Sequence, residues 1–283
     1  MNDKKLSIPL AIICVFILFM TLFPFLWGFF LSFKTNHEIF NYPTSLPESF
    51  DFSLYPETFR QAKLAQLFMN SLSISIVVTI AQLALVFLSS FAIARLNRKF
   101  RIMSGFFYYL FLAAAAVPPF VLIGQIYMLT IRVTPIIPIL GIDSLYALAF
   151  PYIAGGIPFC TLMLVGAMRS IPDELEDAAL IDGCKLPRLM WHITFPLVTP
   201  ILVALVIFTF LGAWNEYPFA SILLNTNRNF TLPLAMAFLR DQFSRDFGAI
   251  MRAVLMILIP QVIFYLIFQR KIIEGMATTG LKM

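Results

Sequence analysis

Six stretches of this chain run for 17 to 31 residues without an Asp, Glu, Lys or Arg. They lie between Lys5 and Lys34 (28 residues), Lys63 and Arg95 (31), Arg101 and Arg132 (30), Asp143 and Arg169 (25), His192 and Glu216 (23), and Arg252 and Arg270 (17). A helix crosses the roughly 30 Å hydrocarbon layer with about 20 apolar residues. Five runs meet that length. The sixth reaches it when Phe247 to Ile250 extend it, with Arg252 snorkelling or facing protein. Runs this long and continuous exclude barrel strands, which need about ten alternating residues. The chain is therefore expected to be an all-α membrane protein with six transmembrane helices.

Composition agrees. Sixty per cent of the residues are apolar and 12% charged, against about 45–50% and 25% in soluble domains. A water-soluble enzyme and a disordered chain are both excluded. The net charge of +5 marks no nucleic-acid partner, because no basic stripe with interleaved aromatics accompanies it. The basic residues instead report orientation. Lys4 and Lys5, the Arg95–Arg101 loop with Arg98 and Lys99, Arg169, Lys185 and Arg188, and Arg270, Lys271 and Lys282 all fall on one side. Both termini are expected in the cytoplasm. The first run is too long for a signal-peptide core and reads as an uncleaved helix.

Residues 34–63 read as a polar outer loop, with turn clusters at Asn41-Tyr42-Pro43 and Leu46-Pro47-Glu48. Several prolines interrupt the apolar runs, among them the Pro118-Pro119 pair. Each marks a kink, a helix end or a cavity-lining segment.

Motifs for catalysis are missing. No GxxxxGK[ST] phosphate loop and no GxSxG elbow occur. His37-Glu38 begins like HExxH, but position 41 is Asn. His192, beside Trp191, reads as an interfacial residue. Cys14, Cys160 and Cys184 form no CxxC pair. No catalytic residue, metal site or cofactor is expected. Asn229-Phe230-Thr231 is a glycosylation sequon, which bears on topology only in a glycosylating host.

The segment from Arg169 to His192 is unlike the other loops. It holds five of the chain's 15 acidic residues: Asp173, Glu174, Glu176, Asp177 and Asp182. Ser170 and Asp173 fit an N-cap and N3 pair with Pro172 in the first turn. Gly183 supplies a stop at positive φ, and Pro187 starts a second piece. Leu186, Leu189, Met190 and Ile193 then share one face. The pattern predicts two short helices, acidic then amphipathic. They form either a docking surface for a soluble partner or a solvated loop.

Asp177-Ala178-Ala179, Gly183, Ile193 and Phe195-Pro196 resemble the EAA signature, E-A-A-x3-G-x9-I-x-L-P, in spacing throughout. That signature marks permease subunits of binding-protein-dependent ATP-binding cassette (ABC) importers. Asp177 stands for Glu and Phe195 for Leu. Trp214-Asn215-Glu216-Tyr217 is similar to the W-N-x-[FY] segment of sugar-importer permeases. The tail from Glu274 to Lys282 is similar to that of the maltose-type second permease.

The resemblance implies an importer-type (MetI-like) permease core over residues 68–270. A first helix and outer loop (1–67) precede it, and a tail (271–283) follows. It implies that Glu174, Asp177, Ala178, Ala179, Asp182 and Gly183 form the surface coupled to a separate ATPase. It implies as partners a second homologous permease, two ATP-binding subunits and an extracytoplasmic solute-binding protein. The chain itself then carries no ATPase site. Trp214, Asn215 and Glu216 lie either on the translocation path or at an interfacial anchor. The implied cargo is a sugar or oligosaccharide moved by alternating access; a polyol or glycerol phosphate fits the same machinery. An autonomous ion-coupled carrier predicts charges buried mid-span, which are absent from five of the runs. A membrane-embedded enzyme predicts a His, Asp or metal cluster there, which is also absent.

Overall fold

The computed structural model describes residues 8–95, 101–243 and 245–280. Among them helix predominates and no strand occurs. The basic residues Lys4, Lys5, Arg98, Lys99 and Lys282 lie outside the described residues, as do the side chains of Arg101, Arg270 and Lys271. The helices are α1 (Ile8–Leu31), α2 (Asn36–Asn41), α3 (Leu54–Gln61), α4 (Leu64–Arg95), α5 (Arg101–Ala115), α6 (Ile123–Val133), α7 (Ala149–Arg169), α8 (Asp173–Ile181), α9 (Leu186–Arg188), α10 (Phe195–Trp214), α11 (Pro218–Leu223), α12 (Leu232–Gln242) and α13 (Phe247–Gly280).

Five helical segments are long and apolar enough to cross a membrane: Ile12–Leu31, Leu64–Arg95, Leu145–Arg169, Leu186–Leu223 and Phe247–Gln269. The third expected span is not one helix. It divides into Ile102–Ala115 and Pro119–Val133, bent by 84°. Pro118 is extended (φ −63°, ψ 127°), and a 3-10 turn runs from Pro119 to Leu122. A residue before proline is driven out of the α region, and two successive prolines remove two donors. The 15 residues of α5 rise about 22 Å, short of a full crossing. Six spans result when the bent pair counts as one.

The chain forms two compact units. The first comprises residues 1–65 and 236–263. Most side chains along α1 are exposed, as on a helix surrounded by lipid or by another chain. The segment after it is more ordered than a polar loop. Thr35 and Glu38 form a reciprocal capping box at α2. Lys34 is buried, its Nζ donating to Tyr42 O (2.8 Å) and Ser45 Oγ (3.1 Å). Phe33 packs edge-on against Phe50 and Phe52. Arg252, in the second turn of α13, faces protein. Its Nη1 donates to Ser32 O (2.7 Å) and its Nε to Thr58 Oγ1 (3.0 Å). The sixth span is thus completed by Phe247–Ile250, and its one cation is turned inward.

The second unit comprises residues 66–235 and 264–283. Its core follows a helical period on three spans: Val86, Phe87 and Phe91 from α4, Cys160, Leu164 and Met168 from α7, Val198, Leu202 and Leu205 from α10. The α10 span starts in a π-helical turn, Leu189–Thr194, continuous with α9. The second amphipathic piece is therefore the leading turn of the fifth span, not a separate helix. Leu189 is buried, Met190 and Ile193 are half-buried against the core, and Leu186 stays exposed.

Asp143 ties the loop before α7 to the one after α11. Its carboxylate accepts from the amides of Asn225 and Thr226 (both 2.8 Å) and from Thr226 Oγ1, while Asn229 Nδ2 donates to its carbonyl. Burial pushes this carboxyl up, but the hydrogen bonds outweigh that and hold it below its ordinary value. A depressed carboxylate stabilises the fold above the unfolded pKa, about 3.9, and that contribution is lost as pH falls through the lower folded value. Thermal midpoints in detergent are expected to drop more steeply below about pH 4 in the wild type than in Asp143→Asn. Equal slopes would contradict this tie.

Candidate functional site

The Arg169–His192 segment is held in place by one buried cation. Arg95 ends α4, and its side chain is 6% exposed. Its Nε lies 2.8 Å from Glu176 Oε1 and its Nη1 3.2 Å from Asp173 Oδ1. Nη2 donates to the carbonyl of Met168, in the last turn of α7, and to that of Ile171, just beyond it. The planar guanidinium suits this role, because its five donors reach a carboxylate pair and two carbonyls at once. The start of α8 is thereby fixed to the ends of two spans. Arg169 adds a contact from the end of α7, with its guanidinium 4.7 Å from the Tyr108 ring centroid on α5.

The expected cap at the start of α8 is different. Pro172 occupies the N-cap position without a side-chain bond, and Ser170 Oγ donates back to Ala167 O. The acidic side chains of Asp173, Glu174 and Glu176 in the first turn favour this end of the helix instead.

The other end is a Schellman stop. Gly183 has φ +77°. Its amide donates to Leu180 O, and Cys184 N donates to Ala179 O (2.9 Å). Ala179 and Cys184, the apolar pair of that motif, both lean on the core.

These constraints sort the candidate residues. Glu174, Ala178, Asp182 and Gly183 are exposed, Asp177 and Ala179 half-buried, and Glu176 buried. Ala179 therefore faces the chain's own core, leaving Ala178 as the small residue on the surface. Beside it, three residues either way, lie Leu175 and Ile181, the latter 86% exposed, while Leu180 is bare on another side of the helix. An acidic helix carrying bare Leu and Ile is a surface made to be covered. Sequence reasoning missed Arg95 as an anchor and these apolar side chains. Reading α8 as a helical face would have found the latter.

Trp214, Asn215 and Glu216 do not act as one group. Trp214 is buried in an aromatic box of Phe68, Phe210 and Phe264, with ring centroids 5.2 to 5.8 Å away. Asn215 is exposed and back-bonds to Leu211 O. Glu216 accepts from the amides of Phe219 (2.7 Å) and Ala220 (3.2 Å) in the first turn of α11, and from Tyr152 Oη on α7. It caps the start of α11. It also lines a cavity of about 360 Å³ bounded by α4, α7 and α10, in which Gln82 and Tyr152 are polar residues that sequence reasoning missed. An amide near the middle of a 31-residue apolar run was the available signal for Gln82.

Residues 87–276 match the family described as "Binding-protein-dependent transport system inner membrane component". The chain is 32% identical to the inner membrane ABC transporter permease protein YcjP of Escherichia coli (strain K12), over 99% of each chain. It is 31% identical to the sulfoquinovosyl glycerol transport system permease protein SmoH of Agrobacterium fabrum, over 97% of this chain and 94% of that one. It is 31% identical to the diacetylchitobiose uptake system permease protein DasC of Streptomyces coelicolor, over 92% and 91%. Its fold matches a chain in the crystal structure of a bacterial ABC transporter involved in import of the acidic polysaccharide alginate. The TM-score is 0.69 at 19% identity, covering 95% of this chain and 96% of that one.

The fold and these matches define a multi-pass permease of the cytoplasmic membrane. The chain belongs to the family of inner membrane components of binding-protein-dependent transport systems.

Proposed function

We propose that this permease is one of two homologous membrane subunits of an ATP-driven importer for a sugar or oligosaccharide. An extracytoplasmic solute-binding protein delivers the cargo. Two ATP-binding subunits supply the energy, and this chain has no ATPase site of its own. The translocating core is assigned to residues 68–270, between the first helix with its outer loop and the tail. Relatives named for diacetylchitobiose, starch degradation products and sulfoquinovosyl glycerol support a saccharide or glycoside cargo.

The observation that carries the coupling assignment is the exposed face of α8. Leu175, Ala178 and Ile181 form a bare stripe among Glu174, Asp177 and Asp182, while buried Arg95 holds the same helix to α4 and α7. In this account the face docks on the ATPase, and Asp177 meets a basic group there. ATP binding closes the ATPase pair, α8 moves, and the spans switch from inward- to outward-facing. The Schellman stop at Gly183 keeps α8 rigid against the start of the fifth span.

Affinity purification of the tagged chain in mild detergent is expected to retain a second permease and an ATPase, and reconstituted uptake is expected to require ATP. Uptake by this chain alone, driven by an ion gradient, would replace the account with that of a carrier. Within it, Asp177→Arg and Gly183→Val are expected to lower uptake. Nothing lies within 4 Å of a Cβ at Gly183, so Val acts there through its positive φ alone, at about 1–2 kcal/mol or more for a β-branched residue. Gly183→Asn, tolerated in that region, is expected to keep most of the uptake. Unimpaired uptake and ATP hydrolysis in both Asp177→Arg and Gly183→Val would remove the coupling role.

A further inference from the structure

Gln82 is 2% exposed in the middle of α4. Its Nε2 donates to Thr209 Oγ1 (3.2 Å) and to Cys160 Sγ (3.3 Å). No described residue donates to its Oε1. The backbone of α7 comes unusually close here. A Cβ at Gly156 would collide with Gln82 Nε2 and lie 2.6 Å from Oε1. The amide is thus fixed by neighbours on α7 and α10, and it lines the 360 Å³ cavity. That volume falls within the range of about 300–1,000 Å³ typical of small-molecule sites. The Tyr152–Glu216 pair lines the same cavity. So do the half-exposed rings of Phe159 and Phe208.

The chemistry of this lining separates two occupants. A lipid tail fills apolar space but offers no donor to an amide oxygen, which then stays unpaired in a low-dielectric setting. A sugar ring offers both things the cavity lacks. Its hydroxyls donate, and its C–H face lies against an aromatic ring. Few hydrogen bonds and apolar walls also suit a station that cargo must leave, since transport needs binding weak enough for release.

We infer that this subunit touches the cargo itself: the α4–α7–α10 cavity receives one pyranose ring of the passing saccharide, with a hydroxyl donating to Gln82 Oε1 and a ring face against Phe159 or Phe208. This rests on the sugar-import reading above.

The test uses the complete transporter in proteoliposomes, with its binding protein and ATP, and a panel of radiolabelled mono- to trisaccharides. The saccharide that wild type imports is then compared with each of its monodeoxy analogues. Wild type is expected to import one analogue poorly. Gln82→Leu, which keeps the volume and removes the acceptor, is expected to import the parent about ten-fold more slowly and no faster than that analogue. Because both proteins share one binding protein, the loss of discrimination reports on position 82 alone. Gly155→Trp, placed in the cavity wall, is expected to cut uptake of the parent by more than about ten-fold in a complex that still assembles. If wild type imports no saccharide, the sugar-import reading falls and this inference falls with it. If wild type imports a saccharide, Gln82→Leu keeps the wild-type discrimination and Gly155→Trp imports normally, the inference alone is overturned.

Discussion

Arg95→Gln is expected to reduce ATP-dependent uptake by roughly ten-fold or more. The side chain is nearly buried and touches Glu176, Asp173 and two carbonyls, one in the last turn of α7 and one just beyond it. Removing one partner of a buried ion pair costs about 3–5 kcal/mol, because the remaining charge loses its compensation. Here the cost falls on the joint between α8 and the spans. Motion imposed on α8 then dissipates in that joint, and the sugar moved per ATP hydrolysed falls further than hydrolysis does. Glu176→Gln should act in the same direction. The double variant Arg95→Gln, Glu176→Gln removes both charges and should recover part of the loss, as coupled neighbours do. Faster hydrogen exchange across residues 173–181 in Arg95→Gln, restored in part in the double variant, would accompany the effect. Unchanged uptake with unchanged exchange would contradict the anchor.

The second large effect concerns stability. Arg252→Met should destabilise the first unit by about 3–6 kcal/mol, since it removes two hydrogen bonds from a charged donor, each contributing about 1.5–3 kcal/mol. Ser32 O and Thr58 Oγ1 lose their donor, and α13 loses its tie to the segment after α1 and to α3. Asp246 lies 3.8 Å from Nη2 and is half-exposed, so its pairing adds little. Arg252→Lys keeps the charge but not the fork, and should fall between wild type and Met. The checks are the thermal midpoint in detergent and protease nicking within residues 34–63. A midpoint and nicking rate equal to wild type in Arg252→Met would refute the assignment.

The number of membrane runs and the site of the acidic loop were legible because both follow from charge placement along the chain. A long run free of charge has only one stable form in lipid. Gly183 was legible for a similar reason, since its positive φ is a property of its own backbone. Features set by distant residues were not. The 84° bend depends on the Pro118-Pro119 pair, visible in the sequence, but a proline can equally kink a continuous span. Ser170 looked like a cap, yet its hydroxyl found the Ala167 carbonyl first, a local competition that spacing does not decide. Arg95 read as one more orienting charge, because its partners lie 73 to 81 positions away. Ala178 and Ala179 are alike in sequence, but Ala178 is exposed while Ala179 is half-buried against the core, and only the packing of α8 on the core separates them.

Cross-linking from Ile181→Cys tests the coupling account most directly. Ile181 is the most exposed apolar side chain on α8, so a thiol there disturbs little of the chain's own packing. With Cys14, Cys160 and Cys184 replaced by Ser or Ala, the thiol would be labelled with a benzophenone maleimide. Its photoreactive end inserts into C–H bonds and needs no cysteine on the partner. The assembled transporter would be irradiated with and without ATP. The account predicts an adduct between this chain and the ATP-binding subunit, formed in a yield that changes when ATP is added. Efficient labelling of the introduced thiol, with no adduct to the ATPase in either state, would contradict it.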